Sequence, residues 1–316
     1  EDNCRTPSGV SYMLENREIM MRMFPDLFKA NRVSPIDDYP PRLLQTFMSL
    51  APPKCENPEP TVVLLTPGPM NSAYYEHSFL SDQMGIEMVQ AEDLFVDGEF
   101  LYMKTVSGPK RVDIVYRRID DNFLDPLSFN PESLIGIPGI MSVYRTGGVT
   151  ILSAPGSGIA DDTAIYVYVP EMIRFYLGQE PILDNVETWR CENASDLKYV
   201  LENLSKLVVK EVDGSGGYGM LIGPKSSKSE IELFFNKIKS NPRGYIAQPT
   251  LDLSSAPTFV DDQVEGRRVD LRPFCLIGKD AQLCPGGLTR VALEKGSYIV
   301  NSSQGGGVKD TWVLAD

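Results

Sequence analysis

A glycine-rich loop between two short apolar segments constrains the fold of this chain most. It lies in LVVKEVDGSGGYGM, residues 207–220, and its glycines have the spacing G-x-G-x-x-G at Gly214, Gly216 and Gly219. A dinucleotide-binding turn with this spacing must open a helix, whose N-terminus takes the pyrophosphate. Here the next segment, MLIG, is short and apolar and ends at a Gly-Pro pair, so it predicts a returning strand. The loop is therefore expected at the tip of an antiparallel hairpin.

Lys210 lies on the strand that leads into this loop. Strand side chains alternate between two faces, so Lys210 shares a face with Val208 and Val212. A lysine between two valines on a buried face needs an anionic partner. A triphosphate beneath a glycine-rich flap, as in kinases, would be such a partner. From this stretch alone, a phosphate-covering flap and a surface hairpin with a flexible tip stay equally open.

Composition limits the classes of partner. A chain of 316 residues can bury a large core, and two domains are expected. The net charge of −13 argues against nucleic acid, because phosphate-backbone binding needs clustered Lys and Arg. No apolar stretch approaches the roughly 20 residues of a membrane span, and the cysteines have no C-x-x-C spacing. We therefore expect a cytoplasmic protein of small-molecule ligands, with neither nucleic acid nor membrane as partner and with its oligomeric state open.

The first half of the chain predicts helices followed by a sheet. Residues 13–30 and 38–50 have apolar residues at helical spacing, and the loop APPKCENPEP follows them. Residues 61–152 show strand–helix–strand order, with a helix closed by Gly85 and a hairpin turn at Asp97-Gly98. This order predicts an open α/β sheet over 61–152.

The second half predicts further short strands and one clear amphipathic helix. Strands are expected at 207–213, 220–223 and 244–248, and three more antiparallel strands in VDLRPFCLIG, AQLCPGGLTRVAL and SYIVNSS. A helix at 229–239 is expected to begin with a capping box of Ser229 and Glu232. Its apolar face would consist of Ile231, Phe234, Phe235 and Ile238. The segment SSQGGGVKD fits a lid and a flexible tail equally well.

The order of these parts resembles the circularly permuted ATP-grasp family, which includes glutathionylspermidine synthase-like proteins and is related to glutathione synthetase-type permuted ligases. The matching stretches, in family order, are EDNCRTPSGVSYMLENR, YRRIDDNFLDPLSF, APGSGIADD, VVKEVDGSGGYGMLIGP, PRGYIAQP, VDLRPF, GGLTRVAL and NSSQGGGVKDTWV. The resemblance implies a circularly permuted ATP-grasp fold of the α/β (α+β) class. It implies a permuted metal-motif strand and helical segment at 1–60, an inserted open α/β sheet domain on the substrate side at 61–152, and the nucleotide-binding region at 153–316.

The resemblance also implies ATP and Mg²⁺ as cofactors, and it gives roles to particular residues. Nucleotide would be held by Lys210, Gly214, Ser215, Gly216, Gly217 and Gly219, by Gln248 near the adenine, and, as a weaker candidate, by Arg290. Arg272, in VDLRPF, would bind phosphate and is a candidate catalytic residue. Glu1 and Asn3 would hold Mg²⁺, since alternation along a strand would turn both oxygen ligands to one side.

Two arginines end the segment VDIVYRR, and alternation turns them to opposite faces. We expect Arg118 to stabilise an anionic substrate or acyl phosphate as a catalytic residue, and Arg117 to lie at the surface. Arg5 and Ser8 are candidate substrate contacts for which a structural role is equally compatible. His77 is the only histidine of the chain, and we expect it to be structural.

The resemblance implies an ATP-dependent carboxylate–amine ligase that joins a small-molecule acid to an amine or a peptide. A non-catalytic nucleotide-binding or scaffold protein on the same fold is the alternative. Two departures from the family motivate that alternative. Thr163 stands where relatives commonly carry Lys, and we expect family members to extend N-terminally of Glu1 with a further carboxylate for metal.

Overall fold

The computed structural model describes residues 2–212, 219–297, 300 and 305–315. The chain forms two compact units. The larger unit comprises Cys4–Ser157, Leu271–Arg290 and Val308–Asp316, and the smaller unit comprises Glu1–Asn3, Gly158–Asp270 and Val291–Gly307. The three-segment division of the chain stays a prediction.

The larger unit contains most of the helices. They are α1 (Val10–Met23), α2 (Pro25–Ala30), α3 (Tyr39–Met48), α4 (Tyr74–Met84), α5 (Asp121–Leu124) and α6 (Ile140–Arg145). Pro25 separates α1 from α2, because a proline is tolerated in the first turn of a helix but not in its interior. Gly85 closes α4 with a positive φ of 67°, as its sequence predicted.

An open parallel sheet organises this unit. Its strands and those of an adjoining antiparallel sheet are β1 (Val62–Leu65), β2 (Glu87–Val89), β3 (Leu94–Asp97), β4 (Phe100–Thr105), β5 (Gly108–Val112), β6 (Ile114–Arg117) and β7 (Thr150–Leu152). Within the described residues the parallel sheet has the order β2-β1-β6-β7, which confirms the predicted open α/β sheet. Strands β3, β4 and β5 pair antiparallel, with Gly98 at φ 57° in the predicted turn.

Both faces of the parallel sheet are covered. Val62 and Leu64 pack into a core with α1, α3 and α4. Val63 and Leu65 alternate with them and pack into a second core with α6 and the β3–β5 sheet. Strands β1 and β6 are buried at every residue, as expected for central strands of a parallel sheet.

The smaller unit has a different plan, an antiparallel sheet covered by helices. Its elements are α7 (Val169–Met172), β8 (Trp189–Arg190), α8 (Ala194–Asn203), β9 (Leu207–Glu211), β10 (Leu221–Ile222), α9 (Lys228–Ser240) and β11 (Tyr245–Pro249). Within the described part of the chain the sheet has the order β10-β9-β11-β8. Leu207, Val209 and Ala247 pack with α8 and α9 in one core.

The N-terminus of α9 corrects one prediction. The capping box consists of Ser227 and Glu230, and not of Ser229 and Glu232. The Glu230 backbone N–H donates to Ser227 Oγ at 3.3 Å, and the Ser227 backbone N–H donates to Glu230 Oε2 at 2.7 Å. Both pairs have the required spacing of three residues, so the pattern alone could not choose between them.

A further sheet of β12 (Ser255–Val260), β13 (Gln263–Ile277), β14 (Ala281–Val291) and β15 (Gly307–Trp312) supplies residues to both units. Strands β13 and β14 were predicted, and the predicted strand SYIVNSS falls mainly outside the described residues. Strand β15 occupies part of the segment for which a lid and a tail were equally compatible. No helix in the described part of the chain is both long and apolar enough to cross a bilayer.

Candidate functional site

The carboxyl ends of β1 and β6 frame a crevice in the larger unit. Strand β1 continues through α4 to β2 on one side, whereas β6 leads to β7 on the other, so the strand order reverses between β1 and β6. In open α/β sheets such a reversal leaves a crevice where ligands bind. Here a cavity of about 320 Å³ lies among the loops that follow β1 and β6. We call it the switch-point crevice; its walls include Ser8, Ser72, Ala73, His77, Arg118 and Asp120.

Arg118 is the buried cation of this crevice, with 1% of its side chain exposed. One terminal nitrogen, Nη1, donates to the Pro7 carbonyl at 2.7 Å and to the Tyr116 hydroxyl at 3.0 Å. The other, Nη2, donates to Ser8 Oγ at 2.7 Å and to Glu76 Oε1 at 3.3 Å. The structure thus brings the candidate residues Arg118 and Ser8 into direct contact.

Glu76 is a structural partner that sequence reasoning missed. Its Oε2 accepts hydrogen bonds from the Gly9 backbone N–H at 2.7 Å, from the Ser11 backbone N–H at 3.2 Å and from Ser11 Oγ at 3.0 Å. A carboxylate at the start of α1 is favoured by the helix dipole and by the unpaired N–H groups there. Its second oxygen faces Arg118, so a single carboxylate joins β6, α4 and α1.

His77 lies in the first turn of α4 and also lines the crevice. Its Nδ1 lies 2.9 Å from Thr66 Oγ1, which in turn accepts from the Gly68 backbone N–H at 3.2 Å. Burial, with a smaller contribution from the charge of Arg118, lowers the pKa of His77 to about 4. The imidazole is therefore neutral near pH 7, and when Thr66 donates to Nδ1 the ring carries its proton on Nε2.

Arg117 corrects the expectation of a surface side chain, because it is fully buried. It donates to the carbonyls of Ser153 at 2.7 Å and Ile119 at 2.8 Å, and it pairs with Asp121 Oδ1 at 2.8 Å. Strand alternation does place it opposite Arg118. Both faces of β6 are covered, however, so neither face leads to solvent.

The glycine-rich loop joins two antiparallel strands of the smaller unit, as predicted. Val209 pairs with Leu221, and Val208 pairs with Ile222. Residues 213–218, which carry Gly214, Ser215, Gly216 and Gly217, lie outside the described residues. Gly219 has a φ of +70°, a conformation that glycine adopts without strain.

The face of β9 that carries Lys210 is half-buried, which corrects the expectation of a buried face. Leu207 and Val209 turn toward the core, so Val208 and Lys210 lie on the other side. Gln248 stands directly opposite Val208 in the register of β9 and β11, and directly opposed residues share a face. Lys210 and Gln248 therefore lie on one face of the sheet.

Two neighbouring side chains belong to the same region of the smaller unit. Gln248 Nε2 donates to Thr188 Oγ1 at 2.9 Å. Thr163 Oγ1 donates to the Val212 carbonyl at 3.2 Å, just beyond β9. The structure thus places Thr163 at the strand that carries Lys210.

The remaining candidates are less closely grouped. Arg272 and Arg290 are half-buried on β13 and β14 in the larger unit, and Arg5 is half-buried near its start. Asn3 is exposed, and residues 2–4 form no strand, so the expected alternation is wrong for the described part of this segment. Glu1 lies outside the described residues. Among those described, no group of three or more His, Cys, Asp or Glu side chains is arranged to hold a metal.

Comparison with known proteins places this geometry in a family context. The model of the family described as circularly permuted ATP-grasp type 2 matches residues 1–292. An uncharacterised Synechocystis protein is 57% identical over 315 residues, covering 99% of this chain and 65% of that protein. A Frankia alni protein provisionally named glutamate–cysteine ligase 2-3 is 40% identical over 313 residues, covering 99% of this chain and 36% of that protein.

The fold is similar to that of a solved structure over nearly the whole of the present chain. A glutathione synthetase-like effector from Globodera pallida, in its apo form, has a TM-score of 0.52 and 12% identity, covering 99% of this chain and 66% of that chain. At this identity the likeness concerns the fold alone. The present chain spans about two thirds or less of the length of the curated relatives named above.

Proposed function

The chain belongs to the circularly permuted ATP-grasp type 2 family, and from this premise we propose that it takes part in an ATP-dependent carboxylate–amine ligation. In the proposed reaction a substrate carboxylate oxygen attacks the γ-phosphorus of ATP, which gives an acyl phosphate and ADP. The nitrogen of an amine then attacks the acyl carbon. Phosphate leaves with the electron pair of the broken C–O bond, and the amine loses a proton, which leaves an amide.

One observation carries the proposal: the glycine-rich loop joins the antiparallel strands β9 and β10, and one half-buried face of their sheet holds Lys210 on β9 and Gln248 on the neighbouring strand β11. Backbone N–H groups of a glycine-rich loop can approach phosphate oxygens closely, and a lysine supplies a compact positive charge for them. Gln248, which stands opposite Val208 on the neighbouring strand β11, offers an amide for a base.

The chemistry asked of the chain is positioning and charge neutralisation. Lys210 and the glycine loop would hold phosphates, and we propose Arg272 as a further phosphate contact and Arg118 as a contact to the acid substrate. Such groups lower the barrier by orienting reactants and by stabilising charge that develops in transfer. The proposed reaction forms no covalent bond between the substrate and the protein.

Mg²⁺ would bridge and neutralise the phosphate oxygens. The described residues do not form a site that fits it, since Asn3 is exposed and Glu1 is not described. The assignment of Mg²⁺ to Glu1 and Asn3 therefore stays a proposal.

A titration with AMP, ATP and NAD tests the nucleotide assignment. We expect ATP to bind at millimolar concentration or tighter and NAD not to bind.

A Cβ at position 219 would lie 2.8 Å from Glu211 Oε2 and would sit on a backbone at φ +70°. Gly219→Val should therefore weaken ATP binding much more than AMP binding, because it disturbs the loop and not the face of Gln248. A matched control is Gly296→Val, which has a φ of +76° with open space around it. No binding of ATP to the wild type would overturn the proposal.

Turnover separates a ligase from the alternative of a non-catalytic nucleotide-binding protein. Thr163 favours that alternative, because its hydroxyl bonds to the Val212 carbonyl and brings no charge toward β9. Release of ADP that depends on an acid and an amine together, with mass-spectrometric detection of the amide, supports the ligase. Glutamate and cysteine are the first pair to test, given the name of the Frankia relative. Tight ATP binding without turnover for any pair supports the alternative.

A further inference from the structure

A second cavity of the larger unit lies among the helices that cover one face of its parallel sheet. It has a volume of about 330 Å³, and α1 supplies five of its lining residues, so we call it the α1 cavity. The segment between α2 and α3 and side chains from α2, α3 and α4 complete its walls. Among the described residues it shares no lining side chain with the switch-point crevice. Its volume suits a small organic ligand.

The floor of the α1 cavity is apolar and belongs to the core of the larger unit. Ile36 is 2% exposed, and the half-buried side chains of Leu14 and Phe79 pack against the same core. Phe28, which is half-buried, and Met21, which is 51% exposed, also line the cavity. Apolar surface that stays in contact with water favours a ligand with an apolar body, because binding removes both surfaces from water.

Arg17 is the one cation among the described side chains that line the α1 cavity, and it is paired within the protein. Its Nε donates to Asp310 Oδ2 at 2.7 Å, and its terminal nitrogens donate to the carbonyls of Ser34 at 2.8 Å and Thr311 at 3.0 Å. These contacts use all three nitrogens of the guanidinium. Arg17 therefore offers little attraction for an anion in the cavity.

Three carboxylates line the α1 cavity in the part of the chain that the structure describes. Glu18 forms an ion pair with Arg22, one turn further along α1. The carboxylates of Glu15 and Asp37 make no hydrogen bond or ion pair with any described residue. Two like charges beside an apolar floor create a negative potential that favours a cation.

We propose that the α1 cavity binds a small organic cation with an apolar body, a primary amine that carries one ring or a short alkyl chain. The apolar body lies on Ile36, Leu14 and Phe79. The ammonium group lies toward the carboxylates of Glu15 and Asp37. This site does not rest on the proposed ligase function.

The lining of the α1 cavity favours such an amine over a metal ion, an acid or a neutral molecule. A divalent metal ion seeks several oxygen ligands and would leave the apolar floor in contact with water. An acid would face the unpaired charges of Glu15 and Asp37. A neutral molecule could cover the floor, but it would gain nothing from either carboxylate.

Three probes with the same phenyl ring separate these cases: phenethylamine, phenethyl alcohol and phenylpropionate carry a positive, no and a negative charge at neutral pH. Saturation-transfer NMR and the shift in melting temperature measure their binding to the protein. We expect phenethylamine to bind at millimolar concentration or tighter, and each of the other two to bind at least tenfold more weakly. The proposal is overturned when phenethylamine does not bind, or when either of the other probes binds as tightly.

Removal of the two carboxylates tests the position of the ammonium group. The double variant Glu15→Gln with Asp37→Asn should weaken binding of phenethylamine at least tenfold and leave the affinity for phenethyl alcohol unchanged. The double variant Glu87→Gln with Glu132→Gln removes the same charge at exposed positions outside the cavity and is the matched control. Wild-type affinity for the amine in the cavity variant, or an equal loss in the control, would overturn the site.

Met21→Ala tests the apolar wall. Because Met21 is 51% exposed, its truncation should leave the melting temperature nearly unchanged. It should weaken the binding of phenethylamine and of phenethyl alcohol by a similar factor, roughly threefold, since both lose the same apolar contact. Met70→Ala, at a residue outside the cavity that is 96% exposed, is the control. Unchanged affinities in Met21→Ala would place the amine outside the α1 cavity and overturn the proposal.

A second copy of this chain is the other occupant to test, by sedimentation at micromolar protein concentration. A dimer that dissociates in Met21→Ala, together with no binding of phenethylamine, would reject the small-ligand site. The outcome for ATP is separate. A protein that binds phenethylamine but no ATP would reject the proposed ligase and keep the α1 cavity as a site, and the reverse result would reject only the cavity site.

Discussion

The switch-point crevice and the hairpin face of β9 bring charged side chains to their sites in opposite ways. In the wall of the crevice Arg118 is buried and paired with Glu76: each side chain is 1% exposed, and Glu76 also holds the start of α1. On the hairpin face Lys210 is half-buried on a strand whose other side makes the core. The proposed ligand contact Arg118 is therefore also a structural residue, whereas on β9 the proposed ligand contact Lys210 and the core residues lie on opposite faces.

This difference predicts how each region responds to mutation. A buried ion pair that loses one partner leaves an uncompensated charge, and the fold bears the cost. The charge of a half-buried side chain can be removed with little change in packing. We therefore expect such a substitution to lower the affinity for a ligand more than the stability of the fold.

Glu76→Ala should have the largest effect, a loss of about 3–5 kcal/mol in the free energy of unfolding, because it strands Arg118 in the interior. It also leaves the Gly9 and Ser11 N–H groups without their acceptor. Urea unfolding followed by circular dichroism measures this loss. Glu92→Gln, at an exposed position in the same unit, is the control and should change stability by about 0.5 kcal/mol or less. A loss below about 1 kcal/mol for Glu76→Ala would contradict the structural role of the buried pair.

Lys210→Met should spare the fold and weaken ATP binding at least tenfold, or about 1.4 kcal/mol, because a charged partner of the phosphates is lost. The side chains have similar bulk, and Lys210 lies on the half-buried face. Calorimetric titration with ATP, together with a melting curve, checks both parts. Lys206→Met, at an exposed lysine just before β9, is the matched control. Equal ATP affinity in wild type and Lys210→Met would show that Lys210 is a surface residue without a nucleotide role.

The contrast also explains which parts of the site could be predicted from the sequence. The hairpin was predictable because its determinants are local: an apolar strand, a glycine loop and a short returning segment within 207–223. The burial of the face that carries Lys210 could not be predicted in this way. Alternation shows that Lys210 and Val209 face opposite ways, but only the position of α8 and α9 decides which face is covered.

The crevice depends on residues that are distant in sequence. Glu76 contacts Gly9 across 67 positions and Arg118 across 42 positions, and no local pattern indicates either pairing. The environment of Arg117 was mispredicted for a related reason, since the strand VDIVYRR does not show that both faces of β6 are covered. The strand–helix order in the sequence does predict the sheet. The order of the strands within that sheet, which the structure supplies, then locates the crevice between β1 and β6.

The effect expected from His77 is confined to acidic pH. Its pKa is lowered from 6.5 to about 4 in the folded protein, chiefly by burial, so the unfolded chain binds a proton more readily. The free energy of unfolding should therefore fall as the pH decreases from about 6.5 to about 4, and His77→Gln should flatten this dependence. NMR titration is direct because the chain has one histidine. An imidazole resonance that titrates near pH 6.5 in the folded protein would contradict the buried, neutral ring.

The smallest effect concerns the helix that supports the hairpin sheet from its covered side. Ser227→Ala should destabilise the protein by about 1 kcal/mol, because the Glu230 N–H loses its capping acceptor and the Glu230 carboxylate loses the Ser227 hydroxyl at 2.7 Å. Ser229→Ala is the matched control: it contacts Ser227 Oγ at 3.0 Å but caps no backbone group, so its change should stay within about 0.5 kcal/mol. Hydrogen bonds from Ser227 lower the pKa of Glu230, so the part of the capping contribution that comes from the Glu230 carboxylate should be present at neutral pH and be lost as the pH falls through the pKa of Glu230 in the folded protein. Urea unfolding of both variants at neutral and acidic pH measures the difference.

Because α9 packs on Leu207 and Val209, and not on the face of Lys210, neither variant should change ATP affinity. A larger loss of stability for Ser229→Ala than for Ser227→Ala would indicate that Ser229 is the N-cap residue, and it would contradict the capping box of Ser227 and Glu230.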